Sequence, residues 1–68
     1  MKLSARNQLK GKIIDVVKGA TTSHVRIESR SGVVVTSSIT NEAVADLDLK
    51  ACDDAWAVIK ASDVMIGK

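Results

Sequence analysis

Apolar and polar residues alternate over much of this chain, and that rhythm predicts short β-strands. From His24 to Ser29, Val25 and Ile27 alternate with polar residues, the pattern of a strand with one buried face. Runs rich in β-branched residues predict further strands. These predicted strands cover residues 9–17, 33–39, 55–60 and 64–66.

The first predicted strand departs from strict alternation. Ile13 and Ile14 are adjacent, and so are Val16 and Val17. Adjacent apolar pairs indicate either a strand covered on both faces or a β-bulge that resets the alternation. Gly11 is a candidate position for such a bulge, because glycine inside a strand often marks one.

The connections between these strands carry turn and helix signals. Arg30-Ser31-Gly32 predicts a hairpin turn. Thr40 or Asn41 can cap a short helix, since either side chain accepts a hydrogen bond from a free backbone N–H. Val44 and Leu47 are three residues apart, so one or two helical turns would place both on the core. The predicted fold is therefore all-β, a five-stranded OB-like barrel with one short helix. An immunoglobulin-type sandwich ranks lower because it needs about 100 residues.

Length and composition point to an oligomer. The chain has 68 residues, which we interpret as a single domain spanning 1–68, and a domain of this size buries too little surface to be more than marginally stable alone. One cysteine and one histidine exclude an internal disulfide and a Cys/His zinc site within one chain. Self-association remains as the source of stability.

A lone cysteine fits a reducing cytoplasm, and no apolar run is long enough to predict a membrane span.

Two short stretches carry the candidate chemistry. The first runs from Ser4 to Gln8 and the second from Lys60 to Ser62. Each combines a long cation with a hydroxyl two residues away, and neither contains a carboxylate. Such donor-rich stretches suit a small inorganic oxyanion, and we expect them to meet in space, across subunits. The alternative is that Arg6 and Lys60 are ordinary surface charges. The predicted site residues are Ser4, Ala5, Arg6, Lys60, Ala61 and Ser62.

Other candidates are weaker. Gly19 and Ala20 lie in a glycine- and threonine-containing loop that is either a second donor loop or a plain turn. His24 lies on the polar face of a strand and is expected to be solvated. Cys52 lies beside two carboxylates that disfavour its thiolate, so a catalytic role is not expected. Trp56 is expected to pack in the core or at an interface. No nucleophile–base constellation, phosphate loop or set of cation ligands stands out. The chain is therefore predicted to bind a ligand and not to be an enzyme.

Four stretches together resemble the molbindins, the small molybdate-binding proteins of the Mop/TOBE domain family. The resemblance runs along essentially the whole chain, and the pairing of the first and last stretches is specific. The stretches are SARNQ at 4–8, LKGKI at 9–13, ITNE at 39–42 and VIKASDVMIG at 58–67.

This resemblance implies a cytoplasmic protein that stores molybdate or keeps it in homeostasis, with tungstate as a near-identical ligand. It implies a homohexamer, a trimer of dimers with exchanged strands and oxyanion sites at subunit interfaces. On that pattern the six residues named above line the main site and Thr40 comes from a neighbouring subunit. Gly19 and Ala20 would line a second site near the three-fold axis.

A departure from the family's sequence at the site and two alternative functions accompany this resemblance. Ala43 stands where the family usually has a serine, so one hydroxyl donor is absent from this chain. A nucleic-acid-binding OB module is the first alternative, but one tryptophan and a net charge of +2 disfavour it. The second is a structural or regulatory assembly domain with incidental anion binding. Neither nucleic acid nor a membrane is an expected partner.

Overall fold

The computed structural model describes residues 2–68, which form a curled antiparallel sheet with one short α-helix. The sheet has four strands in the order β3-β2-β1-β4. In chain order the elements are β1 (Asn7–Lys18), β2 (Thr22–Ser29), β3 (Val34–Thr40), α1 (Asn41–Asp46), β4 (Asp54–Ile59) and a 3₁₀ turn (Ala61–Asp63). The prediction of an all-β fold with one short helix is confirmed.

The long first strand contains the bulge that its adjacent apolar pairs indicated. Its pairing with β2 shifts between Ile13 and Asp15, so that Ile13 lies opposite Ile27 and Val16 lies opposite Val25. Because one residue is added between them, Ile13 and Val16 share the core face although they are three positions apart. Ile13 is buried, whereas Ile14 is exposed.

The proposed position of that bulge at Gly11 was wrong. Gly11 lies in regular pairing with Ser29 on one side and Ala55 on the other. A Cβ atom at Gly11 would collide with the Glu28 carbonyl oxygen and lie 2.8 Å from a methyl group of Ile27. Gly11 therefore permits a close approach of β1 to β2.

The core occupies one face of the curled sheet. Its buried apolar residues are Ile13, Val25, Ile27 and Ala57, with partly buried side chains around them. That face opens into an apolar cavity of about 530 Å³, bordered by Val35, Ile39 and Leu49 among others. The sheet is thus a half-barrel that does not close on itself in one chain.

The predicted fifth strand does not form within the described residues 2–68. Val64 has an extended backbone, at φ −89° and ψ 122°, but residues 64–66 pair with no strand there. Met65 and Ile66 are 92% and 90% exposed. The segment has strand-forming residues, yet a strand needs a ladder partner, and the turn at 61–63 leads it away from the sheet.

The turns and the helix cap follow local sequence signals. Gly32 has φ +87°, a left-handed conformation that glycine adopts without strain. Thr40 rather than Asn41 caps α1, since its hydroxyl oxygen accepts a hydrogen bond from the Ala43 N–H at 3.1 Å. Across residues 2–68, no helix has the length and apolar character needed to cross a membrane.

Candidate functional site

The two donor stretches predicted from the sequence meet in one depression within a single chain, and not across subunits as expected. Its volume is about 620 Å³, and it lies where the chain enters β1 and leaves β4. All six predicted residues of these stretches line it, together with two residues that were not predicted. The lining residues are Ser4, Ala5, Arg6, Val58, Lys60, Ala61, Ser62 and Asp63.

The β1–β4 ladder is what brings the two stretches together. Its terminal pair is Asn7 with Ile59, so Arg6 and Lys60 both follow directly from it. The Asn7 side-chain amide also donates to the Ile59 carbonyl oxygen at 3.2 Å. Next to it, the Gln8 amide donates to the Ala5 carbonyl oxygen at 3.3 Å. Two side chains with no predicted role of their own therefore hold the first stretch in place.

The second stretch is shaped by the 3₁₀ turn that follows β4. Lys60 has an extended backbone and precedes the turn. The Asp63 N–H donates to the Lys60 carbonyl oxygen at 2.9 Å, which folds Ala61 and Ser62 back beside the depression. A short turn of this kind holds a hydroxyl and a cation close together without a regular helix.

The depression combines cations with neutral hydrogen-bond donors. Arg6 and Lys60 are exposed and take part in none of the ion pairs formed within residues 2–68, which are Lys12–Asp54, Arg26–Asp15 and Lys50–Asp48. Both cations therefore keep their donors available to a ligand. The Ser4 and Ser62 hydroxyls add donors that carry no charge. An anion with several oxygen atoms fits this set.

Thr40, Gly19 and Ala20 lie elsewhere, at the opposite end of the sheet. Thr40 pairs with Thr22 at the start of β2, near the end of β1, whereas Lys60 lies near the beginning of β1. The strands β3 and β4 are also the two edges of the sheet. Twelve residues of β1 separate these ends by on the order of 30 Å. One chain therefore does not bring Thr40 to the depression.

Asn41 organises this opposite end. Its amide nitrogen donates to the Gly19 and Ala20 carbonyl oxygens at 3.1 and 3.3 Å. Its amide oxygen accepts from the hydroxyl of Ser23 at 2.5 Å, and Ser23 is 1% exposed. These contacts fix the loop between β1 and β2 against the start of α1. The sequence does not predict this network because Ser23 and Asn41 are far apart in the chain.

The Gly19–Ala20 loop has fewer free donors than its sequence suggested. The Gly19 N–H already donates to the Thr22 carbonyl oxygen at 2.8 Å, and the carbonyl groups of Gly19 and Ala20 are bound by Asn41. Thr40 differs, because its hydroxyl oxygen accepts from Ala43 and its hydrogen is left to donate. Thr40 therefore keeps a donor that the Gly19–Ala20 loop has already used.

Two carboxyl groups with lowered pKa values lie away from the depression. Hydrogen bonding from Arg26 lowers the pKa of the Asp15 carboxyl, and hydrogen bonding from Lys12 lowers that of Asp54. Both pairs lie on the exposed face of the sheet, where they organise side chains across neighbouring strands. Within residues 2–68, no three His, Cys, Asp or Glu side chains lie close enough together to hold a metal ion.

The chain matches the model of the TOBE domain over residues 3–66. It is 48% identical over 66 residues to molybdenum-pterin-binding protein 3 of Clostridium pasteurianum, covering 97% of each chain. Its structure resembles MopII from Clostridium pasteurianum with a TM-score of 0.93 and 42% identity, over 98% of this chain and 100% of MopII. It also resembles the cytoplasmic molybdate-binding protein ModG, in a molybdate-bound form, with a TM-score of 0.91 and 45% identity. That match covers 96% of this chain and 46% of ModG.

Proposed function

Because this chain belongs to the Mop/TOBE molybdate-binding family, we propose that it binds molybdate, and the similar tungstate, in the depression beside Arg6 and Lys60. The observation that carries the proposal is the meeting of two donor stretches from opposite ends of the chain in one cavity. Charge-assisted hydrogen bonds from the two cations would supply most of the affinity. The Ser4 and Ser62 hydroxyls and the backbone at Ala5 and Ala61 would complete the donor set.

The proposed site lies between subunits. A cavity of about 620 Å³ is much larger than a tetrahedral oxyanion and is open to water, which would weaken every charge-assisted bond in it. A neighbouring chain that presents its Thr40 end would close the cavity and add a hydroxyl donor. Ala43, which stands beside Thr40 in this arrangement, contributes no hydroxyl. Gly19 and Ala20 would then lie near a second, weaker site.

The proposed assembly is a homohexamer, a trimer of dimers with exchanged terminal strands. The open apolar face of the half-barrel and the exposed segment 64–66 support it, since both expose apolar side chains that a second copy would cover. Segment 64–66 would gain the ladder partner that it lacks within one chain. A site at the interface then makes oxyanion binding and assembly reinforce each other.

The proposed biological role is storage or homeostasis of molybdate in the cytoplasm by the domain that residues 1–68 form. ModG, which is 45% identical, is described as cytoplasmic. The donors in the depression hold and orient an anion, and binding requires no bond to form or break. We therefore propose reversible binding without chemical conversion.

Arg6→Ala, measured by titration calorimetry with molybdate, tests this function. Loss of a hydrogen-bonded charge is expected to weaken binding by roughly ten- to a hundredfold. Arg30→Ala is the matched control, because it removes an exposed arginine that does not line this depression. Wild-type affinity in Arg6→Ala would contradict the proposed site. An equal response of the wild type to sulfate and molybdate would favour incidental anion binding.

A further inference from the structure

Asp63 is an acidic residue in the lining of a depression whose other polar side chains offer hydrogen-bond donors. It lines the cavity together with Arg6 and Lys60, and its N–H donates to the Lys60 carbonyl oxygen. Lys60 precedes the 3₁₀ turn and Asp63 ends it, and the hydrogen bond between their backbones holds both residues at the depression. Neither donor stretch contains a carboxylate, but Asp63 directly follows the second stretch.

We propose that Asp63 is a specificity-determining residue that makes the depression distinguish oxyanions by whether they carry a proton. This inference rests on the proposed oxyanion function of the same depression. Asp63 is the one carboxylate among its lining residues, and the ionised carboxylate can only accept hydrogen bonds. The neighbouring cations and hydroxyls can donate to any oxyanion, and the hydroxyls, although they can also accept, carry no charge that repels a dianion.

The chemistry of the ligands sets the direction of the effect. Near neutral pH, molybdate and sulfate are dianions without a proton, whereas monohydrogen phosphate retains one. A proton-free dianion meets only repulsion from Asp63. Monohydrogen phosphate can donate its proton in a charge-assisted hydrogen bond to the carboxylate, which offsets that repulsion. Asp63 thus disfavours the proton-free dianions relative to phosphate and limits the affinity for molybdate.

The Asp63 carboxylate is available for this role. It takes part in none of the ion pairs within residues 2–68, so neither Arg6 nor Lys60 neutralises it by direct contact. The side chain is exposed, and the turn depends on the backbone N–H rather than on the carboxylate. Replacement by asparagine therefore removes the charge and preserves the turn.

The test compares the intact wild-type protein with Asp63→Asn and with Asp46→Asn. Asp46 is an exposed carboxylate at the end of α1, so its replacement removes the same charge away from the depression. Dissociation constants for molybdate, sulfate and phosphate are measured by calorimetry near neutral pH and at one ionic strength. Sulfate separates proton content from size, because it is close to phosphate in size and resembles molybdate in lacking a proton.

In Asp63→Asn, binding of molybdate and sulfate should tighten together by roughly tenfold relative to phosphate, with no such change in Asp46→Asn. Equal tightening of all three anions would overturn the inference, since Asp63 would then act only as a background charge. If the wild type binds molybdate and Asp63→Asn has the same dissociation constants as the wild type, the inference is overturned as well. A wild type that binds none of the three anions would instead reject the proposed function itself.

Discussion

Asn7 and Ile59 are paired at the end of the β1–β4 ladder, and the Asn7 amide donates to the Ile59 carbonyl oxygen at 3.2 Å. This contact joins the two ends of the chain directly beside the depression. Arg6 precedes one partner and Lys60 follows the other. The separation between the two cations therefore depends on a pairing between distant parts of the sequence.

Asn7→Ala is expected to loosen this junction. Loss of one side-chain hydrogen bond should lower the free energy of unfolding by about 1 kcal/mol and weaken molybdate binding, because Arg6 and Lys60 would no longer be held together as firmly. Thermal melts and calorimetry measure the two effects. Ser31→Ala is the control, since its hydroxyl bonds to that of Ser29 at 3.0 Å outside the depression. The idea fails if both variants bind molybdate equally.

Thr40 is expected to act both in the helix cap and in the oxyanion site. Thr40→Val removes the oxygen that accepts from Ala43 and should cost about 1 kcal/mol of stability. It also removes the hydroxyl that is proposed to donate a hydrogen bond to the oxyanion bound by a neighbouring subunit. Molybdate affinity should therefore fall. Thr40→Ser keeps the hydroxyl and should retain both properties.

Melting temperatures for these Thr40 variants must be compared at one protein concentration, because assembly contributes to stability. A Thr40→Val protein that is destabilised but binds molybdate normally would confine Thr40 to the cap. Loss of affinity in both variants would point to the exact shape of threonine rather than to its hydroxyl.

Gly11→Ala is expected to destabilise the sheet. The added Cβ would meet the Glu28 backbone and a methyl group of Ile27, and relieving such overpacking typically costs about 1–3 kcal/mol. Gly67→Ala is the control, since a Cβ there meets no atom within 4 Å. Urea unfolding of both variants measures the difference. Equal midpoints would show that β1 and β2 can separate at Gly11 without cost.

The Asp15–Arg26 pair is expected to make stability depend on acid pH. Arg26 lowers the pKa of Asp15 in the folded protein. The contribution of the pair to the free energy of unfolding is therefore fully present above the unfolded carboxyl pKa of about 4. It is lost as pH falls from that value through the lower folded pKa. Asp15→Asn should therefore reduce the loss of stability between neutral and strongly acid pH.

Thermal melts across that pH range, with Asp46→Asn as the control, measure this contribution. Asp46 belongs to none of the ion pairs within residues 2–68. Because the pair is exposed, the difference should be small and should shrink with added salt. An identical acid response in wild type and Asp15→Asn would show that the pair contributes nothing measurable.

The sequence by itself determined the strands of the sheet, the Gly32 turn, the short helix and the two donor stretches. These features depend on residues close together in the chain, where alternation, capping and turn chemistry act locally. It also indicated a bulge in β1, because Ile13-Ile14 and Val16-Val17 interrupt the alternation. The family resemblance added molybdate, which composition alone does not distinguish from other oxyanions.

Only the tertiary structure decided the bulge position, the role of Gly11 and the division of the predicted site residues between two ends of the sheet. It placed Asp63 in the depression and left residues 64–66 without a strand partner. Each of these depends on register and on contacts between distant segments. A shift of one residue reverses which side chains share a face, and short-range patterns do not fix that choice.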